Sequence, residues 1–564
     1  MSTKSQRHLP FALFVAAIGA FTAWLQFAVP DFVASLLSLH VFFQIVLGAT
    51  AVAVLRNVVG LKTYGTFGAV IVAISMVLAG PLIGFAIFAG MLVAVVLARA
   101  ALAREGVQEA HRVAILVTVV AFAAVGSSLV GMYTQTPALA YASLFPILIT
   151  AWFAERFVED VVRVGAYKSA RSLVLTFAAV VVAYLVMAQD ALVVFVIRNP
   201  LSWTAVVLLN WYLGTRVRFR LSEHFRFRGA RSGDDVDLGG TVLTMTRRNR
   251  EYVDRFNAKG LMATLDKARV KALLVPEGIP MPRTYLFVRG RKDLPQAAAL
   301  LDRLPSVAIK PASSYGGEGI LLVRGRTPHG FRVNGHVETK EQVVAHLKRI
   351  VDGDFNDGLA DVGILEELLE PDASLRPLVA DGVPDIRVVS FLGHPVMAMA
   401  RLPTRLSKGR ANLHSGAVGA GVDIASGRIT HAIWNGERVT VHPDTAVALR
   451  GFAIPRWREV LEIACAAQEA SGLGFAGVDI VLDSRSGPVV LEINRRPGLE
   501  IQNANREGLL PRLRAIESIA RAPAPVERRV DVAVSLASGD WGTPPAPSFA
   551  PVPPTGPFPP ANGR

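Results

Sequence analysis

Between Pro10 and Gly214 the chain is a series of apolar runs with short breaks, a pattern few folds accommodate. A helix needs about 20 apolar residues to cross a hydrocarbon layer. Eight stretches approach that length: 10–29, 33–55, 65–80, 82–100, 113–133, 138–155, 172–189 and 198–214. The run from Thr66 to Ala98 is too long for one helix, and Gly80-Pro81 interrupts it with the composition of a tight turn. Charge argues for splitting it. With the N-terminus in the cytosol, the inner loops hold Arg56 and Lys62, then Arg99, Arg104 and Arg112, then Arg156, Arg163, Lys168 and Arg171. The outer breaks carry only Arg198. Cytoplasmic loops collect Lys and Arg, and this alternation requires the 66–98 stretch to cross twice. Eight crossings return the chain to the cytosol at Arg216, Arg218 and Arg220, whereas one crossing at 66–98 leaves seven. The expectation is a multi-pass protein of the inner (cytoplasmic) membrane with both termini cytosolic. Lys4 and Arg7 resemble a signal-peptide n-region, but the apolar run after them is long and no clear A-x-A site follows, so it reads as an uncleaved anchor.

Composition agrees. Hydrophobic residues make up 52% and charged residues 18%, against about 25% charge in average globular chains, and mean hydropathy is +0.40. The net charge of +14 follows from topology and anionic lipid, so no nucleic-acid partner is expected. One cysteine, Cys465, excludes a disulfide framework, a cysteine zinc site and an iron–sulfur centre within the chain. Inside the runs the polar residues are His40, Gln26 and Gln44, while Asp31 and Asp190 fall in outer turns. No intramembrane charge marks a substrate path.

After residue 220 the pattern changes. A linker over 221–245 leads to short β-branched runs (Ser306–Ile309, Gly319–Val323, Asp385–Phe391, Gly477–Leu482, Pro488–Ile493) alternating with amphipathic stretches at 339–351 and 455–471. That is an α/β or α+β domain over 246–522. A Pro-rich tail over 523–564 is expected to be disordered, most clearly from Trp541 onward.

Four features of this domain bear on chemistry. Val307-Ala308-Ile309-Lys310 runs into Pro311-Ala312-Ser313-Ser314-Tyr315-Gly316-Gly317-Glu318-Gly319, a strand that delivers a lysine to a small-residue loop. Backbone N–H groups of such a loop approach phosphate oxygens closely, although an ordinary glycine hairpin has the same composition. Asp266-Lys267 opens a helix, placing a second cation that matters if it converges with Lys310 on one triphosphate. Ile364-Leu365-Glu366-Glu367-Leu368-Leu369 sets carboxylates in an apolar strand, as in a nucleotide-reading hinge or an acidic edge strand. Finally, Gly477-Val478-Asp479 and Leu491-Glu492-Ile493-Asn494 lie on two strands joined by the turn 483–487. Antiparallel pairing brings Asp479 near Glu492 and Asn494, which share a strand face. Hard oxygen donors gathered in this way suit Mg²⁺.

The order of these motifs, with Asp385-Ile386-Arg387 and Asn412-Leu413-His414 between them, resembles the ATP-grasp superfamily, and in particular its α-L-glutamate ligase-like branch. The membrane half, around Arg56-Asn57 to Gly68 and Ser143-Leu144-Phe145-Pro146, is similar to a seven-helix domain usually fused to an inactive transglutaminase module. The implied fold class is an all-α polytopic membrane bundle of about eight helices followed by an α+β ATP-grasp domain. The resemblance implies that Lys267 and Lys310 hold ATP phosphates beneath a loop containing Ser313, Ser314, Gly316, Gly317 and Gly319. It implies that Glu366, Glu367, Leu368 and Leu369 line the adenine and ribose pocket, and that Asp479, Glu492 and Asn494 hold one or two Mg²⁺ ions. Arg387 and Arg401 would face the transferred phosphoryl group or a substrate carboxylate, with Asn412 and His414 near the phosphates or the acceptor. The implied activity is an ADP-forming carboxylate–amine ligase working through an acylphosphate, on an amino acid or peptide, with the bilayer as its anchor. Two other readings stay open: a nucleotide-binding regulatory module without turnover, and a transporter with a catalytic accessory domain.

Overall fold

The computed structural model describes residues 3–102, 109–136, 166–230, 238–314, 317–356, 358–520 and 524–539, with 107, 156–157 and 160–161 between them. The expected crossing at 138–155, Arg104, Arg163 and the stretch from Trp541 onward lie outside the described residues. The chain divides into two compact units, Met1–Phe225 and Arg226–Arg564.

The described part of the first unit is built from helices. Five are long and apolar enough to cross a membrane: Pro10–Ala28, Pro30–Val59, Pro81–Leu102, His111–Tyr133 and Ser169–Met187. A sixth crossing is available if Asp190–Arg198 and Leu201–Arg226, bent by 108°, form one span. The expected crossing at 65–80 is a 13-residue helix, Phe67–Ala79. At ~1.5 Å per residue it is about 20 Å long, short of a hydrocarbon layer of about 30 Å. Its residues from Gly68 to Met76 are almost all buried, packed in a core with Val52, Phe88, Val95 and Met187. Neighbouring helices, rather than lipid, are therefore its solvent. Gly80, at the positive φ of +86°, ends it one residue before Pro81 starts the next helix.

Large apolar side chains such as Phe14, Phe27, Phe42, Leu82 and Phe122 are exposed on this unit, an apolar surface of the kind that meets a membrane. Polar groups inside are paired locally. Gln44 donates to the Met187 carbonyl at 3.0 Å, Asn210 donates to Thr50 Oγ1 at 3.0 Å, and the hydroxyls of Thr22 and Thr204 lie 2.9 Å apart. His40 and Asp190, read separately from sequence, come within 3.6 Å of each other.

The second unit carries two antiparallel sheets. The first has the order β1-β6-β2-β3-β4-β5, from β1 (Thr284–Val288), β2 (Val307–Pro311), β3 (Leu321–Thr327), β4 (Gly330–Val333), β5 (His336–Glu338) and β6 (Gly363–Glu366). Helices Leu294–Leu301 and Lys340–Val351 bury Ala297, Leu301, Val343, Leu347 and Ile350 with Val307, Ile309, Val323 and Leu365 of the sheet. The second of these helices starts on a capping box. Thr339 accepts from the Gln342 backbone and Gln342 reaches back to the Thr339 N–H, satisfying two donors that a helix otherwise leaves open.

The second sheet has the order β11-β10-β9-β8-β7-β12-β13, from β7 (Asp385–Phe391), β8 (His394–Leu402), β9 (Val418–Val422), β10 (Ile429–Trp434), β11 (Glu437–Val439), β12 (Phe475–Asp483) and β13 (Gly487–Asn494). Ladder pairs run Ile480↔Val490 and then Asp479↔Glu492, so Leu491 is an extra residue on β13. The helix Trp457–Ala470 packs on β12 and β13. The expected α+β architecture is observed.

Two domain boundaries differ from expectation. The tail expected from 523 contains a helix, Val526–Ser538, with Val530, Ala533 and Leu536 buried against the helix Trp457–Ala470 and β8. Apolar residues at 526, 530, 533 and 536 make one face, and that face is what docks it. The linker expected over 221–245 is partly ordered as well. Val242 and Leu243 are fully buried, and Gln502 accepts from the Leu243 N–H at 2.8 Å.

Candidate functional site

A cavity of about 670 Å³ opens among the helix Lys267–Leu274, the loop after β2, the end of β6 and the end of β13. Its lining includes Lys267, Lys271, Lys310, Ser313, Ser314, Glu366, Glu492, Asn494, Arg495 and Arg496. The two sheets thus contribute to one space residues as far apart in the chain as Lys310 and Asn494.

Lys267 is the first residue of its helix. Asp266 caps that helix by accepting from the Arg269 N–H at 2.7 Å, and the Lys267 N–H donates to the Ala312 carbonyl at 3.2 Å. The Lys267 ammonium donates to the Ser314 carbonyl at 2.6 Å, which ties the helix start to the loop. Burial, above all, holds this ammonium below the ordinary lysine range; Glu492 opposes that shift and Lys310 adds to it. A lysine held in this way, at a helix N-terminus, is placed to meet an anion. Ser314 is 6% exposed, and its hydroxyl has no hydrogen-bond partner. A buried polar group left open is costly, so this one fits a ligand that carries acceptor oxygens.

The loop itself is set by its ends. The Ser313 N–H donates to Asp361 at 3.0 Å, and His346 Nε2 meets the Gly319 carbonyl at 2.8 Å. Gly319 adopts φ +71°, and a Cβ there would sit 2.7 Å from Pro311 and 2.8 Å from Phe355, so glycine is required on both counts. Gly317 also has positive φ. Gly316 lies outside the described residues.

The strand pair β6–β2 places Glu366 opposite Ala308 and Lys310 opposite Ile364. The Glu366 side chain is buried between Lys310 and Lys271, whose ammonium is 2.8 Å away. Burial opposes ionisation of Glu366, and the ammoniums of Lys310 and Lys271 more than offset it, leaving the carboxyl below its ordinary value. Sequence reasoning did not single out Lys271. Its spacing of four from Lys267 puts both on one helical face, and that was the available signal. Glu367 instead meets Arg485 at 3.1 Å, the Leu368 carbonyl accepts from Arg485 at 3.1 Å, and Leu369 is buried. None of these three is among the cavity residues.

Asp479, Glu492 and Asn494 are brought together on β12 and β13, with Asp479 directly opposite Glu492. Asp479, however, is already committed. Arg387, its opposite number on β7, grips it through Nε and Nη2 at 2.7 Å each. Arg401 Nη2 reaches it at 2.6 Å, and Asn494 Nδ2 donates to it at 3.0 Å. Arg401, on β8, also forks onto Asp385, its cross-strand partner on β7, at 2.5 Å twice. Opposite charges at paired positions attract, and the register sets up both pairs. In this structure Arg401 is held between two carboxylates and Arg387 holds Asp479 with two of its nitrogens, so neither presents a bare fork. Among the described residues no group of three or more His, Cys, Asp or Glu side chains gathers as a cation cage. Mg²⁺ needs fewer, since it commonly binds one or two carboxylates plus phosphate oxygens and water. Glu492 and Asn494 line the cavity and fit that demand, and Asp479 fits it on release from an arginine.

Asn412 caps the turn Leu413–Ser415 by accepting from the His414 N–H at 2.9 Å. His414 is exposed, and neither residue is among those lining the cavity.

Comparison with known proteins gives both units a relationship. Residues 247–518 match the family described as sugar-transfer associated ATP-grasp. Residues 23–231 match the family described as 7 transmembrane helices usually fused to an inactive transglutaminase. A probable alpha-L-glutamate ligase of Legionella pneumophila (strain Corby) is 25% identical over 304 residues, covering 54% of this chain and 78% of that protein. One from Halorhodospira halophila is 28% identical over 273 residues, covering 48% and 68%. Among solved structures, D-cycloserine synthetase DcsG is similar at 17% identity and a TM-score of 0.27, over 46% of this chain and 70% of its own. The C-terminal half is a domain of the ATP-grasp family associated with sugar transfer, and the N-terminal half is a domain of the seven-helix family.

Proposed function

We propose that the protein is a membrane-anchored ligase that uses ATP to join a carboxylate to an amine. The observation that carries this reading is the cavity in which Lys267, Lys310 and the open hydroxyl of Ser314 converge with Glu492 and Asn494. Lys267 and Lys310 steady the phosphates, the loop from Ser313 to Gly319 covers them, and the Ser314 hydroxyl donates to a phosphate oxygen. Glu492 and Asn494, with Asp479, would hold Mg²⁺, which neutralises charge on the phosphates when bound.

The chemistry needs no protein nucleophile. A substrate carboxylate oxygen attacks the γ-phosphorus, the bond to the β-phosphate oxygen breaks, and ADP leaves. The amine then attacks the acyl carbon, phosphate departs with the bonding pair, and the amine loses a proton. Positioning and charge neutralisation supply most of the acceleration in phosphoryl transfer. Relatives named glutamate ligases favour an amino-acid substrate, and the sugar-transfer association favours a saccharide-bearing or envelope-related partner. The apolar helices of the first unit anchor the domain at the inner face of the cytoplasmic membrane, where ATP is available.

The test is ADP release by the detergent-solubilised full chain against a panel of carboxylates and amines, with mass detection of the amide. Lys310→Ala and Glu492→Gln are each expected to lower turnover at least about a hundredfold, on the scale of one lost electrostatic contact in a transition state. Full activity in either variant overturns the site assignment. The saturation of Asp479 by two arginines favours a second reading, nucleotide binding without turnover; tight ADP binding with no product from any pair would establish it.

A further inference from the structure

Among the described residues, the buried arginines of the second unit are matched with carboxylates, with one exception. Arg401 has Asp385 and Asp479, Arg387 has Asp479, Arg512 has Glu507 and Arg529 has Glu469. Arg248, only 8% exposed, has none. Its Nη1 donates to the Pro497 carbonyl at 3.0 Å, and its Nε and Nη2 donate to Asn249 Oδ1 at 3.0 and 2.9 Å. All its acceptors are neutral. Burial, together with the neighbouring guanidiniums of Arg496 and Arg226, pushes Arg248 down to about 10. Arg226 is neutralised by Glu500 at 2.7 Å. Arg496 has no carboxylate partner among the described residues, is exposed and lines the cavity.

Both arginines converge on the turn that follows β13. Arg496 and Pro497 come two and three residues after Asn494. Arg387 approaches the same turn: a Cβ on Gly498 would lie 3.7 Å from its Nη1, the nitrogen not spent on Asp479. A buried guanidinium whose charge has no counter-ion is costly to hold, and a planar fork suits a carboxylate or a phosphate.

We propose that Arg248 and Arg496, with Nη1 of Arg387, form a subsite for an anionic group, carboxylate or phosphate, carried by the substrate apart from the carboxylate that is activated. The proposal rests on the ligase reading and narrows its substrates to molecules with a second anionic group. Neutral amino acids and neutral saccharides are disfavoured by it.

The experiment uses the full-length protein in detergent, saturated with Mg-AMPPNP, and titrates glutarate and methyl phosphate separately by calorimetry at constant ionic strength. One probe is expected to bind, and the tighter of the two identifies the group as carboxylate or phosphate. Arg496→Gln, at an exposed position, is expected to weaken that probe at least tenfold and by more than it weakens Mg-AMPPNP. Arg248→Lys, which keeps the charge and loses the fork, is expected to weaken it in the same direction. Binding of neither probe to the wild-type protein, or unchanged binding to Arg496→Gln, overturns the subsite. Failure of Mg-AMPPNP to bind overturns the ligase reading instead, and titration of the nucleotide-free protein and its Arg496→Gln variant then judges the subsite by the same two criteria.

Discussion

Glu366 and Arg401 show how single side chains set the site's energetics. Each is buried and each bridges two opposite charges. Removing one partner of a buried ion pair strands the other and costs about 3–5 kcal/mol. Arg401→Met is therefore expected to lower the stability of the second unit by about that amount, read by denaturant unfolding of the solubilised chain. If the melt were unchanged and only substrate affinity fell, Arg401 would be a substrate contact after all. Glu366 adds a pH signature. Its carboxyl is held below the ordinary value in the folded state, so its contribution is fully present above the unfolded value of about 4.3. That contribution is lost as pH falls through the lower folded value. Glu366→Gln should be less stable than wild type at pH 7, and the gap should narrow as the pH is taken below about 4; a gap constant with pH contradicts the buried pairing. Neither network was legible in the sequence. Lys310, Glu366, Asp479 and Arg387 stood out as residue types, but which carboxylate neutralises which cation is decided by strand register, and no local pattern reports it.

Among elements, the strands were the most legible. The β-branched runs at 385–391, 477–482 and 488–493 fall within observed strands, and those at 306–309 and 319–323 overlap them, because short β-branched runs bounded by turn residues leave few alternatives. The helix Val526–Ser538 went unread because the Pro-rich residues around it dominated the composition of its window. Its three-four spacing was there, and Leu536, 2% exposed, measures its value. Leu536→Ala is expected to cost about 2–5 kcal/mol, seen as a lower melting temperature. An unchanged melt would mean that the helix does not dock in solution. The helix Phe67–Ala79 taught the reverse lesson. Apolar composition alone could not separate a crossing from a short buried element, since protein neighbours and lipid select the same side chains.

For the whole molecule, the single cysteine offers a direct test of topology. Cys465 is fully buried, and burial, above all, pushes its thiol up, well above the ordinary cysteine range, so it contributes little background labelling. Glu437→Cys, exposed at the start of β11, is expected to react with a membrane-impermeant maleimide in inverted vesicles and to stay silent in intact cells. Labelling in intact cells would place the ligase domain on the outer side and refute the proposed orientation. The joining of an ATP-grasp domain to a lipid-soluble bundle was readable, because each half carries its own periodicity and motif order. The cavity was not, because its walls come from both ends of the domain. One small irregularity decides what that cavity contains. Counting back from the turn, where Asp483 pairs with Gly487 and Ile480 with Val490, an unbroken hairpin would set Leu491 against Asp479. Glu492 would then project from the opposite surface of the sheet. The inserted residue shifts the phase of the last three positions by one, so that a greasy contact becomes an acidic one. The capacity to host a cation proposed for this hairpin is thus a property of its miscounting, and of no residue type alone.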